Sequence, residues 1–287
     1  MSKIQSLSLA AASLVIAVAS VSFWVLSVHS HEAWTFKIFY DGLPEVSGLQ
    51  IDDDTVYVTL EARKHDGKII AIIDGETSVI VDGLQKPDGL TSSMGALVYT
   101  QEFGFSPVYE VVAGESVALF DANGAEGVDS TSNGDVYVIE DRPNGNLYKY
   151  QRATQMVTTL VTGLEKGEGV CVMDSGDVYY AENDQGVVYR IQNGIISSYL
   201  VDLIKPGFLY CDEQSDSIWI TEDRGNFGRL LHATAADQVE VIATGLKSPQ
   251  SIVIRPSGKL LLAEAGRGRI LEFEQKLSPG NIDPIVR

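Results

Sequence analysis

Residues 163–170 read GLEKGEGV, and five related segments recur along the chain. They are GLPEVSGL at 42–49, GLQKPDGL at 83–90, DANGAEGV at 121–128, DLIKPGFL at 202–209 and GLKSPQSI at 245–252. When the segments are aligned on their sixth letter, successive copies lie 38 to 43 residues apart. A regular period of about 20–50 residues is typical of solenoids and propellers.

Each period reads as four short strands separated by turns. In the third period the turn Asn133-Gly134 precedes VYVIE, which is followed by NLYKY and MVTTLV. Short runs rich in β-branched and aromatic residues, bounded by Gly and Asn turns, predict strands. Four such strands in each repeat are typical of one propeller blade. We therefore predict an all-β fold, a six-bladed β-propeller of four-stranded blades over residues 34–276.

The ring is expected to be closed by its N-terminal strand. The sixth period supplies only three strands before the tail of residues 277–287, LSPGNIDPIVR. Residues 34–43, WTFKIFYDGL, read like the fourth strand and linking segment of the other periods. We expect this segment to pair into blade six, because closure of the ring removes an exposed sheet edge.

The N-terminal segment predicts export. Residues 7–28 contain no charged side chain, and roughly 20 apolar residues can span a bilayer as a helix. Lys3 precedes this stretch and Glu32 follows it, which by the positive-inside rule directs the rest of the chain out of the cytoplasm. Two interpretations of residues 1–30 stay open, an uncleaved transmembrane signal anchor or a signal peptide cleaved near Val28-His29-Ser30. Both predict a propeller on the periplasmic or extracellular side, membrane-anchored in the first case and secreted in the second.

The charge of the chain excludes one class of partner. The 287 residues include 21 basic and 39 acidic side chains, which gives a formal net charge of −18. Binding to a nucleic acid backbone needs clustered Lys and Arg, so we expect no nucleic acid partner. A small neutral substrate or a membrane protein partner is expected instead.

The cysteines offer no disulfide scaffold. The chain has two, Cys171 and Cys211, and they do not form a CxxC pair. Both lie in apolar stretches, GVCVM and FLYCD. The sequence therefore predicts two buried free thiols.

Acidic residues are predicted to converge on one face of the ring. The aligned sixth letters form a polar column at the start of the innermost strands: Ser47, Asp88, Glu126, Glu168, Gly207 and Gln250. The second strand of each blade returns to the same face, where it brings Glu140, Glu182, Glu222 and Glu264, with Glu61 and Glu102 one residue later in the first two blades. Convergent carboxylates repel one another, so either a cation is bound there or some pKa values rise. The alternative is that these residues cap strand starts and line a watery channel.

Over residues 34–274 the chain resembles the regucalcin/gluconolactonase family of six-bladed propellers and their strictosidine synthase-like and lactonase relatives. The resemblance implies one divalent cation, often calcium, on the propeller axis. In that family the ligands are acidic or amide residues placed directly before a glycine at the start of innermost strands, as Asp88 and Glu126 are here. Ser47 and Gly207 depart from the pattern. The ligand set implied for this chain is Asp88, Glu126, Glu168 and Gln250.

Two functions are consistent with these features. The first is a membrane-anchored, divalent-cation-dependent hydrolase of lactones or related esters, with Glu182 and Glu140 as candidate catalytic residues for proton transfer. Calcium takes about 6–8 oxygen ligands, and a bound cation can polarise a carbonyl group and activate water. The second is a non-catalytic docking or scaffold subunit of a membrane protein complex, favoured by the short tether and by the departures from the ligand pattern.

Overall fold

Six antiparallel sheets form a ring in the part of the chain that the structure describes, residues 27–276. In this computed structural model five sheets have four strands each, and the sheet of blade five carries a fifth. The predicted all-β, six-bladed propeller is confirmed. Val, Ile and Tyr dominate many of the strands, because branched and aromatic side chains suit a pleated, half-buried surface.

The strands are named in chain order, and in each of the first five blades they run from the axis outward. The chain enters through β1 (His29–Ser30) and β2 (Trp34–Asp41). Blade one contains β3 (Val46–Asp52), β4 (Thr55–Leu60), β5 (Gly67–Ile73) and β6 (Glu76–Leu84). Blade two contains β7 (Pro87–Ser93), β8 (Ala96–Gln101), β9 (Phe105–Val112) and β10 (Glu115–Asn123). Blade three contains β11 (Ala125–Ser130), β12 (Val136–Glu140), β13 (Gly145–Gln151) and β14 (Met156–Leu164).

The second half of the ring repeats this arrangement. Blade four contains β15 (Gly167–Val172), β16 (Val178–Glu182), β17 (Val187–Gln192) and β18 (Ile195–Leu200). Blade five contains β19 (Pro206–Asp212), β20 (Ser217–Glu222), β21 (Gly228–Ala235) and β22 (Gln238–Leu246). Blade six contains β23 (Pro249–Ile254), β24 (Leu260–Glu264) and β25 (Arg269–Gln275). Two 3-10 turns, Gly225–Phe227 and Ala265–Arg267, follow the second strands of the last two blades.

The innermost strands approach one another too closely for a side chain at the residue after the polar column. A Cβ atom on Gly89 would lie 2.3 Å from the carbonyl oxygen of Glu126, and one on Gly127 would lie 2.5 Å from that of Glu168. Thr100 supports this approach, because its hydroxyl donates to the Glu126 carbonyl at 2.5 Å and accepts from the Gly89 amide at 2.9 Å. The glycines therefore allow the strands, and the acidic residues before them, to converge on the axis.

The predicted closure of the ring is confirmed. β2 pairs antiparallel with β25, from Trp34 opposite Gln275 to Asp41 opposite Arg269. The short β1 pairs with the outer edge of β22, an addition that the sequence did not predict. Trp34 also packs edge-on against Trp219 of blade five, with ring centroids 5.6 Å apart. The N-terminal strands are thus bound to both blade five and blade six.

The hydrophobic core lies between the faces of adjacent blades. In one cluster, Ile139 and Leu147 of blade three pack with Val170 of blade four. Another joins Leu261 and Ile270 of blade six to the first blade. Burial of apolar surface contributes about 25 cal/mol per Å², and because these clusters join two blades, the burial stabilises the ring as a whole.

The prediction of two free thiols is wrong. Cys171 of β15 and Cys211 of β19 form a disulfide, with their Cα atoms 5.5 Å apart. The two residues are 40 positions apart, which is about one blade period, so they fall side by side on the innermost strands of adjacent blades. Their apolar surroundings are those of a buried disulfide: Cys171 is 1% and Cys211 9% exposed.

The predicted N-terminal helix is not tested by the structure. Most of residues 7–28, and the tail of residues 277–287, lie outside the described residues. Within residues 27–276, no helix has the length and apolar character needed to cross a membrane.

Candidate metal centre

Consecutive residues at the end of each second strand point to opposite sides, because side chains alternate along a strand. The second strands end at Leu60, Gln101, Glu140, Glu182, Glu222 and Glu264, which we call the strand-end set. The residues that follow, which we call the mouth set, are Glu61, Glu102, Asp141, Asn183, Asp223 and Ala265. Four members of the mouth set line the cavity on the axis: Glu61, Glu102, Asp141 and Asp223. The acidic residues predicted as one set are therefore two sets with different surroundings.

The five polar members of the strand-end set, all except Leu60, cap the links between blades. Glu140 Oε1 accepts a hydrogen bond from the backbone amide of Asn123 at 2.8 Å, and Glu182 Oε2 accepts one from that of Glu165 at 3.2 Å. The equivalent bonds in other blades join Gln85 to Gln101, Ile204 to Glu222 and Lys247 to Glu264. These side chains satisfy amides that would otherwise be left without a partner where the chain passes from one blade to the next.

Both predicted catalytic residues belong to the strand-end set. Glu140 is 1% exposed and accepts further hydrogen bonds from the side chains of Arg142 at 3.2 Å and Asn146 at 3.0 Å. Glu182 is 4% exposed, and burial raises the pKa of its carboxyl group. Neither residue lines the axial cavity, so the structure does not bring them together with the predicted ligands. Catalysis by Glu140 and Glu182 stays a prediction, and their contacts are those of structural residues.

A repeated backbone hydrogen bond positions the mouth set. The amide of Glu102 donates to the carbonyl oxygen of Lys86 at 3.0 Å, and the amide of Asp141 donates to that of Gly124 at 2.8 Å. The equivalent bonds hold Glu61, Asn183, Asp223 and Ala265. The acceptor is always the fourth letter of the linking segment, so each mouth residue is fixed to the link that enters its own blade.

Four members of the polar column and four of the mouth set line a cavity of about 300 Å³ on the axis, the mouth cavity. Its lining comprises Glu61, Lys86, Asp88, Glu102, Glu126, Asp141, Lys166, Glu168, Asp223 and Gln250. The four predicted ligands, Asp88, Glu126, Glu168 and Gln250, are thus brought together. Sequence reasoning missed Asp141, Asp223 and the two lysines as members of this lining.

Two groups of three carboxylates in the mouth have oxygen atoms within 4.8 Å of one another. The first triad is Glu61, Asp88 and Glu102, and the second triad is Glu102, Glu126 and Asp141. Glu102 belongs to both. The structure therefore adds members of the mouth set to the predicted ligands, while Glu168 and Gln250 line the same cavity outside these triads.

The crowding of carboxylates raises their pKa values. Burial raises the pKa of Glu126 well above its ordinary value, and the neighbouring charges of Glu168 and Asp88 raise it further. Burial likewise raises the pKa of Asp88, with a further contribution from Glu61. The pKa of Asp141 is also raised, first by burial and then by Glu168. A cation that neutralised these carboxylates would favour their ionised forms.

Two lysines enter the mouth as well. Lys86 Nζ lies 3.0 Å from Glu61 Oε1 and also contacts Glu102. Lys166 Nζ contacts Glu168 and lies 3.7 Å from Asp141 Oδ2. These ammonium groups offset part of the negative charge of the seven carboxylates that line the cavity.

The donor set fits a hard divalent cation. Carboxylate and amide oxygens are the ligands that calcium and magnesium prefer. Each of the six blades supplies at least one such side chain to the lining of the mouth cavity. Histidine and thiol ligands, which favour zinc and copper, are not among the residues that line the cavity. The predicted divalent cation therefore has suitable ligands here.

One side of the mouth carries small residues. Blade five has Gly207 in the polar column, and a Cβ atom there would have its nearest neighbour, Thr221 Oγ1, at 3.2 Å. Blade six has Ala265 in the mouth set. The triads are built by blades one to three, and blades five and six contribute only Asp223 and Gln250 to the lining of the mouth cavity.

The sequence matches no family model and no curated protein. Similar folds are found among solved structures. A gluconolactonase from Xanthomonas campestris superposes with a TM-score of 0.72 and 11% identity, over 86% of this chain and 91% of that chain. Regucalcin from Agrobacterium tumefaciens, described as a calcium-binding protein, gives a TM-score of 0.67 and 13% identity, over 84% and 94%. At these identities the likeness shows the fold, and the chain has the six-bladed propeller of the gluconolactonase and regucalcin structures that it was predicted to resemble.

Proposed function

We propose that this protein is a divalent-cation-dependent hydrolase of lactones or related esters. The observation that carries the proposal is the pair of carboxylate triads that share Glu102, in each of which one oxygen atom from every residue lies within 4.8 Å of the others. Regucalcin and gluconolactonase, whose folds are similar, support the cation and the class of substrate respectively. Calcium is the proposed ion, because the donors are oxygens and their number suits its high coordination.

The residues of the second triad, Glu102, Glu126 and Asp141, together with Asp88, would hold the cation. When bound, such a cation supplies Lewis-acid polarisation of a carbonyl oxygen. The substrate ring would lie over blades five and six, on the side of the mouth cavity away from the triads. The four residues that would hold the cation would thereby fix the position of the substrate carbonyl group relative to the polar side chains of the mouth.

Asp223 is the proposed proton acceptor for the attacking water. It lines the mouth cavity from blade five, on the side away from the triads. Its Oδ1 accepts a hydrogen bond from the backbone amide of Gly225 at 2.8 Å, which fixes the orientation of the carboxylate. A positioned carboxylate within reach of the reacting water is the requirement for general base catalysis.

Hydrolysis assays on the purified chain test this function. The probes are a panel of five- and six-membered lactones and p-nitrophenyl esters, each with added calcium or with a chelator. We expect hydrolysis that the chelator abolishes and calcium restores, and a loss of more than about tenfold in Glu126→Gln. Glu76→Gln, in the exposed start of β6, is the matched control. The proposal is wrong if the chain, tested with calcium, magnesium and manganese in turn, hydrolyses no probe faster than the same buffer without protein does.

We further propose that the propeller lies on the periplasmic or extracellular side, held by the N-terminal segment. The Cys171–Cys211 disulfide supports this location, because disulfides persist in oxidising compartments. Treatment of intact and permeabilised cells with a protease tests it. Digestion of the propeller only after the cytoplasmic membrane has been permeabilised would contradict the proposed location.

A further inference from the structure

Lys86 occupies a repeated position of the fold. It is the fourth letter of the linking segment GLQKPDGL, two residues before Asp88. Its backbone is left-handed, with φ of 52°, as are the backbones of Glu45 and Lys205 at the same position of other blades, with φ of 52° and 54°. The Lys86 carbonyl oxygen accepts the hydrogen bond that positions Glu102. The link thus turns at this residue, and the Lys86 side chain lines the mouth cavity.

The ammonium group of Lys86 lies among the carboxylates of the first triad. It contacts Glu61 Oε1 at 3.0 Å and also contacts Glu102, which are two of the three members. The Lys86 side chain is only 13% exposed, and those of Glu61 and Glu102 are 22% exposed. An ammonium group donates up to three hydrogen bonds, so it satisfies oxygen atoms that would otherwise be free to bind an ion.

In the second triad no single lysine contacts two members, because Lys86 contacts only Glu102, the residue that both triads share. Lys166 lies 3.7 Å from Asp141 Oδ2, while its closer contact is with Glu168, outside the triad. Within residues 27–276, Glu126 takes part in no ion pair of 4 Å or less. The two triads therefore differ in one respect: the Lys86 ammonium group contacts two carboxylates of the first triad, whereas Lys86 and Lys166 each contact one carboxylate of the second.

We propose that Lys86 is a built-in cation that occupies the first triad and limits the mouth to one divalent ion, at the second triad. This inference rests on the proposed binding of a divalent cation. A fixed positive charge a few ångströms from an ion site repels the ion, so Lys86 also weakens binding at the second triad. Removal of the charge opens the first triad to a second ion and tightens binding of the first.

The test compares the purified full chain with Lys86→Met, which removes the charge but keeps a side chain of similar length. Isothermal titration calorimetry and equilibrium dialysis with calcium chloride give the affinity and the number of bound ions. We expect one ion in the unaltered chain. In Lys86→Met we expect two, with the first bound at least tenfold more tightly. Lys86→Gln provides a second neutral variant, and circular dichroism checks that each variant is folded.

Lys205→Met is the matched control. Lys205 has the same position in the linking segment of blade five, but its side chain is 55% exposed and pairs with Asp184 at 3.3 Å. It does not line the mouth cavity. We expect this variant to bind calcium as the unaltered chain does, because its charge is far better solvated.

The outcomes separate this inference from the proposed function. One ion with the same affinity in the unaltered chain and in both folded Lys86 variants would overturn the role of Lys86 and leave the proposed function standing. Binding only after Lys86 is replaced would overturn both the limit of one ion and cation-dependent hydrolysis by the natural chain. Absence of binding in every protein would overturn both.

Discussion

Glu140 and Asp141 are adjacent in the chain, yet their carboxylates lie in different environments. Glu140 Oε1 accepts a hydrogen bond from the backbone amide of Asn123 at 2.8 Å, inside the link between blades two and three. Asp141 Oδ2 lies in the mouth cavity, 3.7 Å from Lys166 Nζ. One position along a strand reverses the direction of the side chain, so a structural carboxylate and a candidate ligand are adjacent in sequence.

Replacement of each residue is expected to affect a different property. Glu140→Ala leaves the amide of Asn123 and its other buried donors without an acceptor, at a cost of about 1–3 kcal/mol for each such donor. We therefore expect a lower free energy of unfolding, measured by urea denaturation, with calcium affinity unchanged. Asp141→Ala is expected to weaken calcium binding at least tenfold with little change in that free energy. If Glu140→Ala weakened calcium binding and Asp141→Ala lowered the free energy of unfolding, the separation of strand-end and mouth sets would be contradicted.

The sequence predicts the ring well because the repeat is a property of the chain. Period, strand number and closure by β2 all follow from spacing, and the convergence of Asp88 with Glu126 follows from their equal positions in the repeat. The division of the acidic residues depends on where each second strand ends. In blades three to six the strand-end residue is a glutamate, but Leu60 and Gln101 hold that place in the first two blades. In the repeat, Glu61 and Glu102 therefore lie one residue later than the strand-end glutamates of the other blades. This offset was the sequence signal for two sets of acidic residues.

Other features of the site depend on contacts that spacing does not reveal. Lys86 and Lys166 share a position in the linking segment with Lys205, yet the first two line the mouth and the third pairs with Asp184 near the surface. Which way a long, flexible side chain turns depends on the charges nearest to it. The disulfide was missed because the prediction of free thiols rested on the low number of cysteines and their apolar surroundings, although a separation of 40 residues, about one blade period, places them on the neighbouring strands β15 and β19.

Glu102 is expected to matter more for cation binding than Glu168. Glu102 belongs to both triads, whereas Glu168 contacts Lys166 and belongs to neither. We expect Glu102→Gln to weaken calcium binding at least tenfold, about 1.4 kcal/mol or more. Glu168→Gln is expected to have a smaller effect, because Glu168 belongs to neither triad. Calorimetric titration of both variants decides this, and a larger loss in Glu168→Gln would favour the ligand set implied by the sequence.

Loss of the disulfide is expected to destabilise the propeller. The bridge closes a loop of 40 residues between blades four and five, and the chain-entropy model assigns such a loop about 4 kcal/mol. We expect the free energy of unfolding, measured by urea denaturation, to be lower by about 4 kcal/mol in the double variant Cys171→Ala and Cys211→Ala. The unaltered chain in reducing agent should behave similarly. Equal stability of all three samples would show that the bridge contributes nothing to the folded state.

Asp129 is expected to make the stability of the fold depend on pH. It lies on β11, and its Oδ2 accepts a hydrogen bond from the amide of Val172 at 2.9 Å. Burial raises its pKa to about 7, far above the ordinary value. The folded state therefore retains a proton that the unfolded chain releases near pH 4. The contribution of Asp129 to the free energy of unfolding is greatest below about pH 4. It falls by up to about 1.4 kcal/mol per pH unit between about pH 4 and pH 7, and it is constant above about pH 7.

The variant Asp129→Asn cannot titrate and isolates this effect. We expect the free energy of unfolding of the unaltered chain, minus that of Asp129→Asn, to decrease from pH 4.5 to pH 7 and then to level off. Asp54→Asn is the control, since the Asp54 side chain is 98% exposed. Urea denaturation at four pH values measures both. A difference for Asp129 that rises with pH would mean that the two amide donors, from Val172 and Ser130, outweigh burial and hold the carboxylate ionised in the fold.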